Sequence, residues 1–194
     1  MTRFKFLLLM TVLVGFTGLA YAGFDDAKDA YDKGDFAKAY KEFQALAKQG
    51  NAEAQCLLGT LYAKGHGVQK DYGEALKWYR EAAEHGLAKA QYCLGVMFDM
   101  GEGVPQNSAE AARWYRRAAE QGDAVAQTNL GAMYALGQGV PQDYVQAHMW
   151  FNLAARQGYS EARKGIDALA GKMTPSQIAE AKHLAGEWKP KSRD

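Results

Sequence analysis

The sequence predicts an all-α chain of stacked antiparallel helix pairs, closed by a C-terminal capping helix. Three observations carry that prediction. Most of the 194 residues align with the chain itself at a shift of 36. Within each unit the apolar residues recur at the spacing of one helix face. Thirteen of the 21 glycines fall at four repeated positions, so they punctuate helices rather than interrupt them.

The first segment reads as a leader. Arg3 and Lys5 precede an apolar run from Phe6 to Leu19, and Ala20-Tyr21-Ala22 ends it with small residues at a spacing a signal peptidase accepts. A helix over that run would reach about 21 Å, short of the roughly 30 Å hydrocarbon core. Residues 1–22 are therefore expected to be a cleavable signal peptide, cut after Ala22. No cysteine stands at the cut to accept a lipid. The remaining 172 residues contain no other run long enough to span a bilayer, and a periplasmic or secreted location follows.

Charge narrows the partners. Lys+Arg 23 stands against Asp+Glu 22, and loss of Arg3 and Lys5 brings the mature chain to −1. Such a balance gives no bulk attraction for nucleic acid or an anionic membrane. At 48% hydrophobic and 12% aromatic, the chain is too apolar for a disordered polymer.

Residues 23–53 read as an atypical helical hairpin, Phe24 to Lys33 and Phe36 to Gln49, split by Lys33-Gly34-Asp35-Phe36. Three full units follow, over 54–89, 90–125 and 126–161. Ala54-Gln55 recurs as Ala90-Gln91 and Ala126-Gln127, and Leu58-Gly59 as Leu94-Gly95 and Leu130-Gly131. The loop Gly65-His66-Gly67-Val68 becomes Gly101-Glu102-Gly103-Val104 and Gly137-Gln138-Gly139-Val140. Its glycines permit a tight reversal, and its valine is placed to enter the core. Asp71, Asn107 and Asp143 are expected to cap the second helices, with Glu74, Glu110 and Gln146 three residues on as capping-box partners. Trp78-Tyr79, Trp114-Tyr115 and Trp150-Phe151 supply the large apolar residues, and Gly86, Gly122 and Gly158 end the units. Residues 162–194 hold a partial repeat, then a helix capped by Thr174 with Pro175 at its first position. Ile178, Ala181, Leu184, Ala185 and Trp188 are spaced to cover the end of the stack, and Lys189, Lys191 and Arg193 read as a solvated basic tail.

The repeated pattern A-Q-x-x-L-G-x-x-Y-x-x-G-x-G-V-x-x-D-x-x-x-A-x-x-W-Y-x-x-A-A-x-x-G resembles the Sel1-like repeat, a relative of the tetratricopeptide repeat. Residues 24 to 53 are more similar to a tetratricopeptide hairpin, and Met173 to Trp188 to the terminal helix of bacterial members. The resemblance implies a right-handed α/α solenoid over 23–194 whose first helices line a concave surface for proteins or peptides.

Other motifs read more plainly. Gly65-x-Gly67 lacks the third glycine and the preceding strand of a dinucleotide turn. The recurring tryptophans are better explained as packing than as a ligand ladder. His66, His85, His148 and His183 have no metal-site spacing, and no serine stands in G-x-S-x-G. The residues point to no catalytic centre, metal or cofactor. Cys56 and Cys93 are candidates for a disulfide, permissible in an oxidising compartment if their side chains meet at a seam between units.

The first-helix positions opposite the core face are the candidate partner-binding residues: Thr60, Tyr92, Val96, Asp99, Thr128 and Ala132. A monomeric, non-enzymatic scaffold or regulator, serving an unidentified protein or peptide of the cell envelope, is the leading expectation. The competing one is a cell-wall-related small-molecule binder or β-lactamase-like hydrolase, because the family's cysteine-rich branch has been linked to penicillin binding. This chain has neither that branch's cysteine spacing nor its own serine motif.

Overall fold

The computed structural model describes residues 23–191, so the leader expected over 1–22 lies outside the described residues. Every regular element among the described residues is helical. They are α1 (23–32), α2 (Phe36–Lys48), α3 (Ala52–Lys64), α4 (Tyr72–Glu84), α5 (Ala88–Met100), α6 (Ser108–Glu120), α7 (Ala124–Leu136), α8 (Tyr144–Arg156), α9 (Ser160–Ala168) and α10 (Pro175–Glu187). No helix among the described residues is long and apolar enough to cross a membrane. Two compact units result, one ending at Trp78 and one beginning at Tyr79, so the boundary falls inside α4.

Capping residues set where the second helices begin. One Asp71 carboxylate oxygen accepts from the Gly73 and Glu74 amides at 2.8 and 3.0 Å. Asn107 does the same for Ala109 and Glu110, and Asp143 for Val145 and Gln146. These bonds satisfy amides that a helix N-terminus leaves without carbonyl partners. Glu110 does not return the bond as a capping box would. Its carboxylate takes Arg113 at 2.7 Å instead, and the reciprocal box forms between Thr174 and Gln177 at the start of α10.

In the first unit Ala39, Phe43, Leu46 and Ala47 of α2 pack with Ala54, Leu58 and Leu61 of α3. Phe24 and Tyr31 of α1 add rings against Phe43 at 5.9 and 6.3 Å. The loop after α3 lies on the first turn of α2. His66 stacks on Phe36 at 4.2 Å, and a Cβ on Gly67 would come within 2.9 Å of the Ala37 amide nitrogen and closer still to the Phe36 carbonyl.

The second unit repeats that device. Gly139, at φ +68, lies against the first turn of α6, where a Cβ would sit 2.7 Å from the Ala109 nitrogen and closer still to the Ser108 carbonyl. The loop glycines thus serve contact between successive helix pairs as well as the reversal itself. Val68 and Val140 pack on the two cores, as their place in the loop predicts.

The glycines of the second and third Leu-Gly pairs make room for an aromatic ring. A Cβ at Gly95 would come within 2.5 Å of the Tyr115 ring, and one at Gly131 within 2.8 Å of Phe151. Between these rings Leu94, Ala111, Leu130, Met133, Trp150 and Leu153 are buried. Trp150 belongs to that core, whereas Trp114 is half-exposed with the Arg117 guanidinium 4.7 Å from its ring centre.

The C-terminal helix covers the stack as expected, whereas the chain after it, through Lys191, departs from the expected solvated tail. Helix α10 packs on α8, burying Ala181 and Ala185, and Trp188 meets the Trp150 ring edge-on at 6.5 Å. The chain then continues to the end of α6. There the Lys191 amide donates to the Glu120 carbonyl, and its ammonium pairs with the Glu120 carboxylate, each at 2.8 Å. A lysine and a backbone donor at a helix C-terminus complement its unsatisfied carbonyls and negative dipole end, which gives this tail a fixed place.

Candidate interaction face

Tyr92, Val96 and Asp99 lie on α5 at i, i+4 and i+7, a single stripe of that helix. Thr128 and Ala132 lie on α7. All five are half-buried in the second unit, whose helix α6 bridges α5 and α7. Thr60 lies on α3 in the first unit and is likewise half-buried. Both threonine hydroxyls are engaged as donors, Thr60 to the Cys56 carbonyl and Thr128 to the Ala124 carbonyl, so they present methyl groups more than polar ones.

One residue behind the face is read from sequence only as core. Tyr115 of α6 is 2% exposed. Asp99 of α5 and Asn129 of α7 both lie close enough to act on its phenol. Burial, with the Asp99 charge next in weight, holds the Tyr115 phenol well above its ordinary pKa, so it stays a donor throughout the physiological range. The Tyr92 ring lies 5.9 Å from the Tyr115 ring, tilted by 35°. Asp99 is anchored on its backbone side too, where its carbonyl accepts from the Gln106 side chain at 2.7 Å. The Tyr92 ring and the Asp99 backbone are therefore held in place before any partner arrives.

Beside that stripe lie Met100, 68% exposed, and Leu136, 64% exposed, the last residues of α5 and α7 and equivalent in the repeat. They follow Val96 and Ala132 at i+4, so each extends the apolar part of the face toward the loop end of its helix. Exposed side chains of this size at matching places are a signal that sequence reading passed over, because a helix-terminal Met or Leu is unremarkable in a single copy.

A second feature missed from sequence is the role of the recurring Ala-Gln pair. Gln127 is wholly buried; its amide donates to the Ala119 carbonyl, eight residues back, and its own carbonyl accepts from Gln157, 30 residues on, at 3.1 and 3.0 Å. Gln91 repeats the arrangement with Ala83 and Gln121 at 3.3 and 2.8 Å. Each relay ties the end of one second helix to the following first helix and to the next second helix. It thereby sets how α5 and α7 are presented.

Cys56 and Cys93, the two disulfide candidates, are both thiols in the structure and belong to different compact units. Cys56 falls opposite the core face on an ideal helical wheel, yet it is buried, while Cys93 is half-buried. The ideal helical wheel misplaces Cys56 because burial here depends on which neighbouring helices cover a position, not on the angle alone. Among the described residues no cluster of three or more His, Cys, Asp or Glu side chains could hold a metal ion.

Comparison with known proteins agrees with the repeat. The Sel1 repeat model matches residues 52–87, 88–123 and 124–159. Among solved structures, the chain is similar to a protective antigen of uropathogenic Escherichia coli strains displaying an SLR fold, at 36% identity and TM-score 0.73, over 89% of this chain and 39% of that one. The chain thus spans well under half the length of that antigen. It is also similar to a Sel1 repeat protein from Oxalobacter formigenes, at 32% identity and TM-score 0.74, over 84% of this chain and 70% of that chain. Cysteine rich protein B of Helicobacter pylori shares the fold at 22% identity and TM-score 0.53, over 64% of this chain and 95% of its own. Among curated proteins no sequence match is found. With three consecutive repeats covering more than half of its length, the chain belongs to the Sel1 repeat family.

Proposed function

We propose that this protein is a non-enzymatic scaffold or regulator, exported to the periplasm or the exterior, whose α5–α7 face receives a protein or peptide of the cell envelope. Sel1 repeats generally mediate protein–protein interaction, and that generality supports the class. The observation that carries the site is that Tyr92, Val96 and Asp99 form one half-buried stripe of α5, with the Tyr92 ring packed 5.9 Å from the buried Tyr115 ring. A ring held by packing before binding lowers the ordering cost, and the small residues Ala132 and Thr128 leave room for an incoming chain.

Affinity capture from envelope extracts with tagged mature chain tests the reading. Wild type should retain a partner that Tyr92→Ala and Asp99→Ala lose, with helicity unchanged by circular dichroism. Equal capture by all three would remove this face from consideration. N-terminal sequencing of the exported form should begin at Gly23, and an intact Met1 on exported protein would contradict cleavage of the leader.

A further inference from the structure

We propose that the α5–α7 face takes a partner segment that seats a lysine or arginine side chain on Asp99 and lays apolar side chains over Met100 and Leu136; this rests on the interaction-face reading above.

The charge argument begins with Asp99. Asp99 is half-buried, and among the described residues no lysine or arginine forms an ion pair with its carboxylate. Helix α7 has no charged side chain at all, and the only cation of α5 is Lys89 in its first turn, ten positions before Asp99. A cation brought by a partner would therefore meet this carboxylate without an intramolecular competitor.

The apolar argument is independent of the charge. Scattered exposed hydrophobics need no explanation, but Met100 and Leu136 occupy the same place in successive repeats and each continues an i, i+4 pair, Val96–Met100 and Ala132–Leu136. A repeat array that exposes matching side chains on adjacent first helices presents a strip rather than points. Phosphate-bearing surfaces are disfavoured as occupants, because this strip pairs its apolar residues with a fixed negative charge. The complement is a basic, amphipathic segment of a protein.

The probes are a fluorescein-labelled amphipathic peptide built from leucine and lysine, and its counterpart with glutamate in place of lysine. Their binding to the mature chain is followed by fluorescence anisotropy at low salt and near 0.15 M. The lysine peptide should bind at least about tenfold more tightly than the glutamate peptide. Asp99→Asn, which keeps the side-chain shape and removes its charge, should erase most of that preference and flatten the salt dependence. Met100→Ser with Leu136→Ser should weaken the lysine peptide without changing its salt dependence. Equal binding of the two peptides, no binding of either, or an Asp99→Asn chain that still prefers lysine would overturn the proposal. If that happens while partner capture still depends on Tyr92, only the basic-segment proposal falls and the interaction face stands; if capture fails as well, both fall.

Discussion

Gly139→Ala and Gly158→Ala separate two reasons for a glycine in this fold. Both positions have positive φ, +68 and +88. A Cβ at Gly158 would meet nothing within 4 Å, whereas one at Gly139 would press into the first turn of α6, 2.7 Å from the Ala109 nitrogen. An L-residue in the left-handed region costs about 1–2 kcal/mol, and alanine returns about 0.4–1 kcal/mol by restricting the unfolded chain. Gly158→Ala should therefore destabilise by about 1 kcal/mol. Gly139→Ala adds an overpacking cost of about 1–3 kcal/mol, because the neighbour is helix backbone that cannot rotate away as a side chain can. Its total should reach about 2–4 kcal/mol. Urea denaturation of the mature chain followed by circular dichroism reads both values. In a repeat array the Gly139 variant should also lose cooperativity, since the loop joins successive helix pairs. Equal destabilisation by the two substitutions would refute the idea that close approach, rather than φ alone, fixes glycine in the second loop position.

Three further expectations follow from buried contacts. Gln127→Leu removes both bonds of one relay and should cost about 1–3 kcal/mol in the same denaturation experiment, while Gln138→Ala on the exposed loop should cost almost nothing. Removing residues 188–194 deletes the Trp150–Trp188 ring contact and the Lys191–Glu120 pair, so α10 should become sensitive to limited proteolysis while α5 to α7 keep their amide protection. His148 of α8 is 4% exposed, with Nδ1 2.6 Å from the Asn152 amide nitrogen. Burial, and secondarily the Lys182 charge on α10, hold its pKa below the ordinary 6.5. The folded chain thus binds this proton less readily than the unfolded one, so the His148 contribution is intact above about pH 6.5 and is lost as pH falls below it. His148→Gln should flatten that part of the stability–pH profile, and an unchanged slope would exclude His148 as its source.

Much of the fold was legible because it is local and repeated. Asp71, Asn107 and Asp143 declare helix starts through bonds only two or three residues long, and the positive-φ glycines declare the ends. Harder to read were relations spanning more than one helix. The Ala-Gln pairs recur plainly, but nothing in the recurrence says that Gln127 reaches Gln157. Tyr115 reads correctly as core, yet its ring is what Tyr92 packs on from the neighbouring helix, and a helical wheel has no term for that. Cys56 shows the same gap from the other side, since its wheel position faces away from the core and neighbouring structure buries it anyway. Lys191 reads as solvated tail because its partner, Glu120, lies 71 residues earlier. Of the candidate face, periodicity places the residues on their helices, while the contacts around them are not legible in it.

The central claim, that the first-helix face of the second unit is where a partner binds, is tested most directly by site-specific photo-crosslinking in cells. A photoreactive phenylalanine analogue at Thr128 on α7 should yield a discrete adduct that Tyr92→Ala abolishes, and the same analogue at Arg113 on the exposed side of α6 should yield none. Adducts of equal strength from both positions, or from Arg113 alone, would contradict the account.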